Sequence, residues 1–165
     1  MPLMWMSDLV AKRRQQNIDN IIILNDGTND ISIYIGNNNN FYSFYRRYPT
    51  GYDSLPCFIN FIDINNDQQL DILVANNGTG SIGIFLGNKN GLFSEQIIYS
   101  MGIKSYPYAI GIGDFNHNNK TDFVVTKYGI NEIEIFLDFN NDLLTDIAVA
   151  MTGTNNIKIL SKSCS

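Results

Sequence analysis

The sequence predicts an all-β fold of propeller-type blades, each built from four short antiparallel strands, with about three blades in a partial or open array. Three observations carry this. The 165 residues hold 24 Ile and 23 Asn but only 5 Ala. Ile favours strands and Ala favours helix, while Asn tolerates positive φ and collects in turns. The chain also repeats itself with a step of 51 residues, and each repeat reads as four short apolar or alternating runs with turn signals between them. That is the pattern of a propeller blade.

The repeat is gapless over most of its length. Pro56-Cys57-Phe58-Ile59-Asn60-Phe61-Ile62-Asp63-Ile64-Asn65 lands on Pro107-Tyr108-Ala109-Ile110-Gly111-Ile112-Gly113-Asp114-Phe115-Asn116. Asp71-Ile72-Leu73-Val74 lands on Asp122-Phe123-Val124-Val125, and Asn76-Asn77-Gly78-Thr79 lands back on Asn25-Asp26-Gly27-Thr28. Ile82, Ile84 and Gly87 fall on Ile31, Ile33 and Gly36. A β-sandwich also has many short strands, but it predicts no such period.

Within the middle unit, residues 57–62 alternate and approach an Asp-rich loop. Residues 71–76 form an apolar run leaving it, followed by an Asn-Gly turn, a strand over 81–86, a Gly-Asn turn and a strand over 95–99. The expected organisation is an N-terminal segment over 1–17, with a short helix over Ser7 to Gln16. A repeat domain follows over 18–160, in units of about 18–56, 57–107 and 108–160, and a tail over 161–165. The third unit is short: Asp146-Ile147-Ala148-Val149 follows Asp122 by 24 residues, so about half a repeat is missing between Leu137 and Asp138. The strand Ile133–Leu137 must then lead directly into the third loop.

Composition excludes several classes of function. Net charge is −5 and the eleven Lys and Arg are scattered, apart from Lys12-Arg13-Arg14, so no basic face for nucleic acid is expected. No run of about 18 apolar residues predicts a membrane-spanning helix. Cys57 and Cys164 are too few for a disulfide framework or a zinc site. The single histidine, His117, leaves no material for repeated nucleophile–histidine machinery. Gly111-x-Gly113 lacks the third Gly and the helix of a dinucleotide motif. Met1 to Asp8 lacks the basic and long apolar regions of a signal peptide. The expectation is a non-enzyme.

The most informative segment is Asp63-Ile64-Asn65-Asn66-Asp67-Gln68-Gln69-Leu70-Asp71. Side-chain oxygens stand at loop positions 1, 3, 5 and 9, and the backbone carbonyl of position 7 is a further donor. Hard cations such as Ca²⁺ take six to eight oxygen ligands of these kinds. The candidate metal ligands are therefore Asp63, Asn65, Asp67, Gln69 and Asp71. The equivalents are Asp114, Asn116, Asn118, Lys120 and Asp122 in the second loop, and Asp138, Asn140, Asp142, Leu144 and Asp146 in the third. Position 4 holds Asn66, His117 and Asn141, all residue types that accept positive φ more readily than most. An EF-hand is excluded, because position 12 is Val74, Val125 or Val149 rather than Glu. In the first unit the matching stretch, Lys12 to Asn20, carries cations instead, and no metal is expected there. The competing reading is that Asp and Asn simply cap turns by accepting backbone N–H bonds.

This D-x-N-x-D-x-x-x-D-[IF]-x-V core, at its spacing of about 50 residues, resembles FG-GAP repeats, also called VCBS-type repeats. They build the N-terminal β-propeller of integrin α chains, many secreted repeat proteins and some fungal lectins. The likeness covers residues 20–160. It implies propeller blades, structural Ca²⁺ held by the positions named above, an extracellular location, and adhesion or recognition of a protein or glycan. It equally admits a non-catalytic accessory domain of a secreted hydrolase. A degenerate propeller fragment without a selected function is the third reading, in view of the lost first loop and the shortened third unit. Family propellers carry about seven blades, so about three leave open blade edges that invite self-association.

Further features remain open at this level. Phe41, Tyr42, Phe44, Tyr45 and Tyr48 with Arg46 and Arg47 read either as an outer strand packed on its own blade or as a binding surface. Asn77-Gly78-Thr79 and Asn119-Lys120-Thr121 are glycosylation sequons that matter only in a secreted protein.

Overall fold

A computed structural model describes the backbone of residues 9–15, 18–37, 41–137, 146–151 and 156–160, and the side chains of residues 20–37 and 41–137. Among the described residues thirteen strands fall into three antiparallel sheets whose strands follow chain order, and none of these sheets closes on itself. The first sheet is β1 (Leu9–Gln15), β2 (Ile18–Asn25), β3 (Asp30–Gly36) and β4 (Tyr42–Pro49). The second is β5 (Pro56–Ile62), β6 (Asp71–Asn76), β7 (Ser81–Phe85) and β8 (Ile97–Ser100). The third is β9 (Pro107–Gly113), β10 (Asp122–Lys127), β11 (Glu132–Leu137), β12 (Asp146–Met151) and β13 (Asn156–Leu160). Among the described residues a single 3₁₀ turn, Tyr128–Ile130, interrupts the β structure. Each sheet is an up-and-down meander, so the array is all-β, propeller-type and open.

The core lies between the sheets. Ile22, Leu24, Ile31 and Ile33 of the first sheet pack on Ile59, Ile72, Val74 and Phe85 of the second. Leu73, Ala75, Ile82 and Ile84 of the second pack on Ile110, Phe123, Val125 and Phe136 of the third. The middle sheet is covered on both faces, and every residue of β6 and β7 is buried. This is why residues 71–76 read as a continuous apolar run and not as an alternation. Fully burying one such Ile or Val contributes about 1.5–3 kcal/mol.

Two expectations are corrected. The stretch Leu9–Gln15 is a strand, not part of a helix over Ser7 to Gln16. It pairs with β2 from Leu9↔Leu24 to Gln15↔Ile18, and so belongs to the first sheet instead of to a separate N-terminal segment. Its run of Lys, Arg and Gln has helix propensity, and the ladder offered by β2 outweighs it. The third unit forms a sheet of five strands, not the four expected of a blade. β12 pairs with β11 and β13 with β12, so both extend the third sheet at its outer edge.

The meander sorts the connections onto two ends. At one end lie the turns after β2, β6 and β10 and the two links between sheets, residues 50–55 and 101–106. These links repeat in detail. Gly51 and Gly102 have φ of 104° and 95°, Asp53 and Lys104 of 51° and 60°, and Leu55 and Tyr106 of 43° and 45°. Each link is tied to the turn of the sheet it enters: Gly78 N donates to Ser54 O, and Gly129 N to Ser105 O. The Asp-rich loops lie at the opposite end.

Candidate metal centre

β5 and β6 pair up to Ile62↔Asp71, and the eight residues between them curl into a loop. Asp71 is fully buried. Its Oδ2 accepts from Ile64 N at 2.9 Å and its Oδ1 from Gly87 N at 2.6 Å. It thereby ties the loop to the start of β6 and to the end of β7. Gly87 is required here, because a Cβ would stand 2.2 Å from Leu70 O. Asp63 accepts from Asp67 N at 3.0 Å and from Gln68 N at 2.8 Å. Asn65 Oδ1 accepts from Asp67 N at 3.1 Å, and Asp67 Oδ1 from Gln69 N at 2.8 Å.

The second loop repeats this scheme. Asp122 Oδ2 accepts from Phe115 N at 2.7 Å, and Asp114 accepts from Asn118 N at 3.0 Å and Asn119 N at 2.9 Å. Asn116 Oδ1 accepts from Asn118 N at 3.2 Å, and Asn118 Oδ1 from Lys120 N at 2.8 Å. Position 4 has positive φ in both, 58° at Asn66 and 59° at His117, as its residue types predict. Position 6 does so as well, 67° at Gln68 and 63° at Asn119, which the sequence reading missed. Gln at position 6 gives no signal of this, although Asn119 could have. The loops differ at position 2. Ile64 is buried in the core between the second and third sheets, whereas Phe115 is exposed, with its ring against Gly113. His117 is exposed at its loop tip.

The structure thus brings Asp63, Asn65, Asp67, Gln69 and Asp71 into one loop, and Asp114, Asn116, Asn118, Lys120 and Asp122 into another. Asp138, Asn140, Asp142 and Leu144 lie outside the described residues, as does the side chain of Asp146. The pairing Leu137↔Asp146 stands in the same register as Ile62↔Asp71 and Gly113↔Asp122, so β11 is the strand that enters the third loop.

Electrostatics separate the first loop from an ordinary turn. Burial raises the Asp71 pKa above the usual carboxylate value. The bonds from Gly87 and Ile64 oppose the shift, while the charges of Asp67 and Asp63 add to it. Three carboxylates therefore repel one another across a loop whose donors are all oxygen. Among the described residues no three His, Cys, Asp or Glu side chains gather as a ready-made cage, and the loop carboxylates are turned onto backbone N–H groups. The donor set nonetheless suits a hard cation, because a carboxylate or amide oxygen that accepts one N–H retains a second lone pair.

Other singled-out residues find plainer roles. The Cys57 thiol, pushed up to about 11 by burial, lies 3.3 Å from Pro107 O. Asn77 Nδ2, the atom a glycan would modify, donates to Pro107 O at 3.2 Å. Of the aromatic run, Tyr48 alone is buried, edge-on to Phe85 and Phe93, and its hydroxyl accepts from Phe93 N. Phe41, Tyr42, Phe44 and Tyr45 are exposed. Lys127, Glu132 and Glu134 were not anticipated. Lys127 Nζ lies 3.0 Å from Glu132 and 3.1 Å from Glu134, and Lys127 and Glu134 are buried. Burial works to lower the Lys127 pKa, and the two carboxylates outweigh it, so the ammonium titrates above its ordinary value.

No curated protein matches the chain. The family model for the FG-GAP-like repeat matches residues 63–125, from the first residue of one Asp-rich loop to the strand that leaves the next. Over that stretch the chain is similar to the FG-GAP-like repeat family.

Proposed function

We propose that this β-repeat chain is a Ca²⁺-stabilised, non-catalytic recognition module that works outside the cell, where it contacts a protein or a glycan. The observation that carries the metal reading is the recurrence of one loop, with five backbone N–H to side-chain oxygen bonds repeated at positions 51 residues apart and oxygen donors at positions 1, 3, 5 and 9. Asp63, Asn65, Asp67, the Gln69 carbonyl and Asp71 would hold the ion in the first loop. Asp114, Asn116, Asn118, the Lys120 carbonyl and Asp122 would hold it in the second. A bound Ca²⁺ supplies the positive charge that offsets carboxylate repulsion. The chain's own part is structural: Asp71 already fastens the loop to β6 and β7, and the remaining donors hold the loop curled.

The recognition role rests on family likeness and on one surface. β4 and the residue before it present Phe41, Tyr42, Phe44 and Tyr45 to solvent beside Arg46, next to a cleft of about 460 Å³ between the first two sheets lined by Tyr48, Phe85, Phe93 and Gln96. Exposed aromatics with Arg are the composition of contact hot spots. Calorimetric titration of Ca²⁺ into the metal-free chain tests the metal reading. Saturable heat that disappears in a Asp63→Asn, Asp114→Asn double variant is expected, and absence of heat in the wild type contradicts it.

A further inference from the structure

The 51-residue repeat sorts the sheet faces into two series. One series leads onto the following sheet: Ile22, Leu24, Ile31 and Ile33 in the first sheet, then Leu73, Ala75, Ile82 and Ile84 in the second. Both sets are buried against the next sheet. The third member of the series is Val124, Thr126, Ile133 and Ile135, on the face of the third sheet that points away from the second. All four are part-exposed and belong to neither core cluster. The other series receives the preceding sheet: Ile72, Val74 and Phe85 in the second sheet, then Phe123, Val125 and Phe136 in the third, all buried. Its first member is Ile21, Ile23 and Tyr34, again part-exposed and outside both clusters.

The molecule therefore carries both halves of an interface that it already forms twice internally. We infer that two copies of this chain associate head to tail, the Val124–Ile133–Ile135 face of one covering the Ile21–Ile23–Tyr34 face of the other. The partner is fixed by the two internal interfaces, which show what chemistry and shape each face accepts. The contact is heterologous, because the two faces differ, and such contacts close into rings when the rotation allows. Two copies bring six blades, within the roughly four to eight at which propellers close. The unpaired strand edges, which the sequence marks as the sites of self-association, play no part in this contact.

The inference does not depend on calcium and is tested by sedimentation velocity of the full chain. The expected species has twice the monomer mass of 18.6 kDa. Ile135→Glu and Ile23→Glu each remove one of the two faces and are expected to sediment as folded monomers, with folding checked by far-UV dichroism. Mixing the two variants leaves one intact face of each kind, and association is expected to return. A monomeric wild type overturns the proposal whatever the variants do. So does association that survives both substitutions, or a ladder of larger species in place of the dimer.

Discussion

The stretch Lys12 to Asn20 and the stretch Asp63 to Asp71 occupy the same place in the repeat and do different things. In the second sheet the strands part at Ile62↔Asp71 and an eight-residue loop intervenes. In the first sheet the ladder continues past the equivalent position, through Lys12↔Ile21 and Arg13↔Asn20 to Gln15↔Ile18. A sheet of four strands forms in both cases. The loop is thus not needed to join the strands, and its hydrogen-bonded Asp and Asn residues have to be explained by something other than blade formation. Where the acids are missing from the candidate ligand positions the loop is gone too, which is what a shared dependence on a cation would produce.

That contrast can be broken by substitution. The largest effect is expected at Asp71. Asp71→Ala strands the buried N–H groups of Ile64 and Gly87, each of which costs about 1–3 kcal/mol when left unpaired. A loss of roughly 2–5 kcal/mol is expected by urea denaturation, against about 0.5 kcal/mol or less for Asn20→Ala at the matching site. Equal losses would show that the two regions are held in the same way. Next comes Gly87→Ala, whose Cβ would press on Leu70 O. It should cost about 1–3 kcal/mol and weaken the loop's tie to β7.

A smaller effect concerns pH. The folded Asp71 pKa lies above the unfolded value, so the ionised carboxylate disfavours the fold at neutral pH. That penalty is relieved as pH falls through the folded pKa. Between that value and about 3.8 the metal-free wild type should gain stability relative to Asp71→Asn, and any stabilisation by Ca²⁺ should fade in the same window. A difference between wild type and variant that is flat in pH removes this account. The smallest effect is at position 4. Asn66→Gly and His117→Gly fit φ near 60° without strain and should alter stability by less than about 1 kcal/mol, while His117→Val should cost more.

How much of this was readable in the sequence follows from where the signals lie. Strands β5, β6 and β7 were legible because a repeat fixed their register and their runs were bounded by Asn-Gly and Asp-rich turns. The candidate ligands were legible because the spacing of Asp and Asn recurred. β1 was not, because Lys12, Arg13, Arg14 and Gln15 carry no strand signal of their own and are drawn into a sheet by β2. The fate of the third unit was hidden for a related reason: whether β12 begins a blade or extends one depends on pairing with β11, a tertiary choice. The links over 51–55 and 102–106 were overlooked although Gly51, Ser54 and Pro56 recur as Gly102, Ser105 and Pro107. Those residues bear no chemistry that draws attention, yet they fix how one sheet is handed to the next.

The central claim, that the Asp-rich loops are cation sites and not mere turns, is tested most directly by thermal unfolding in Ca²⁺ and in EDTA, with Mg²⁺ as the control. At about 2 mM Ca²⁺ and a Kd of about 0.2 mM, each occupied site adds about 1.4 kcal/mol, and a chain of this size gains about 2–4 °C per kcal/mol. A rise of several degrees with Ca²⁺ alone is the expected result. A cooperative melt that EDTA leaves unchanged would contradict the claim and leave the loop carboxylates as caps for backbone N–H groups.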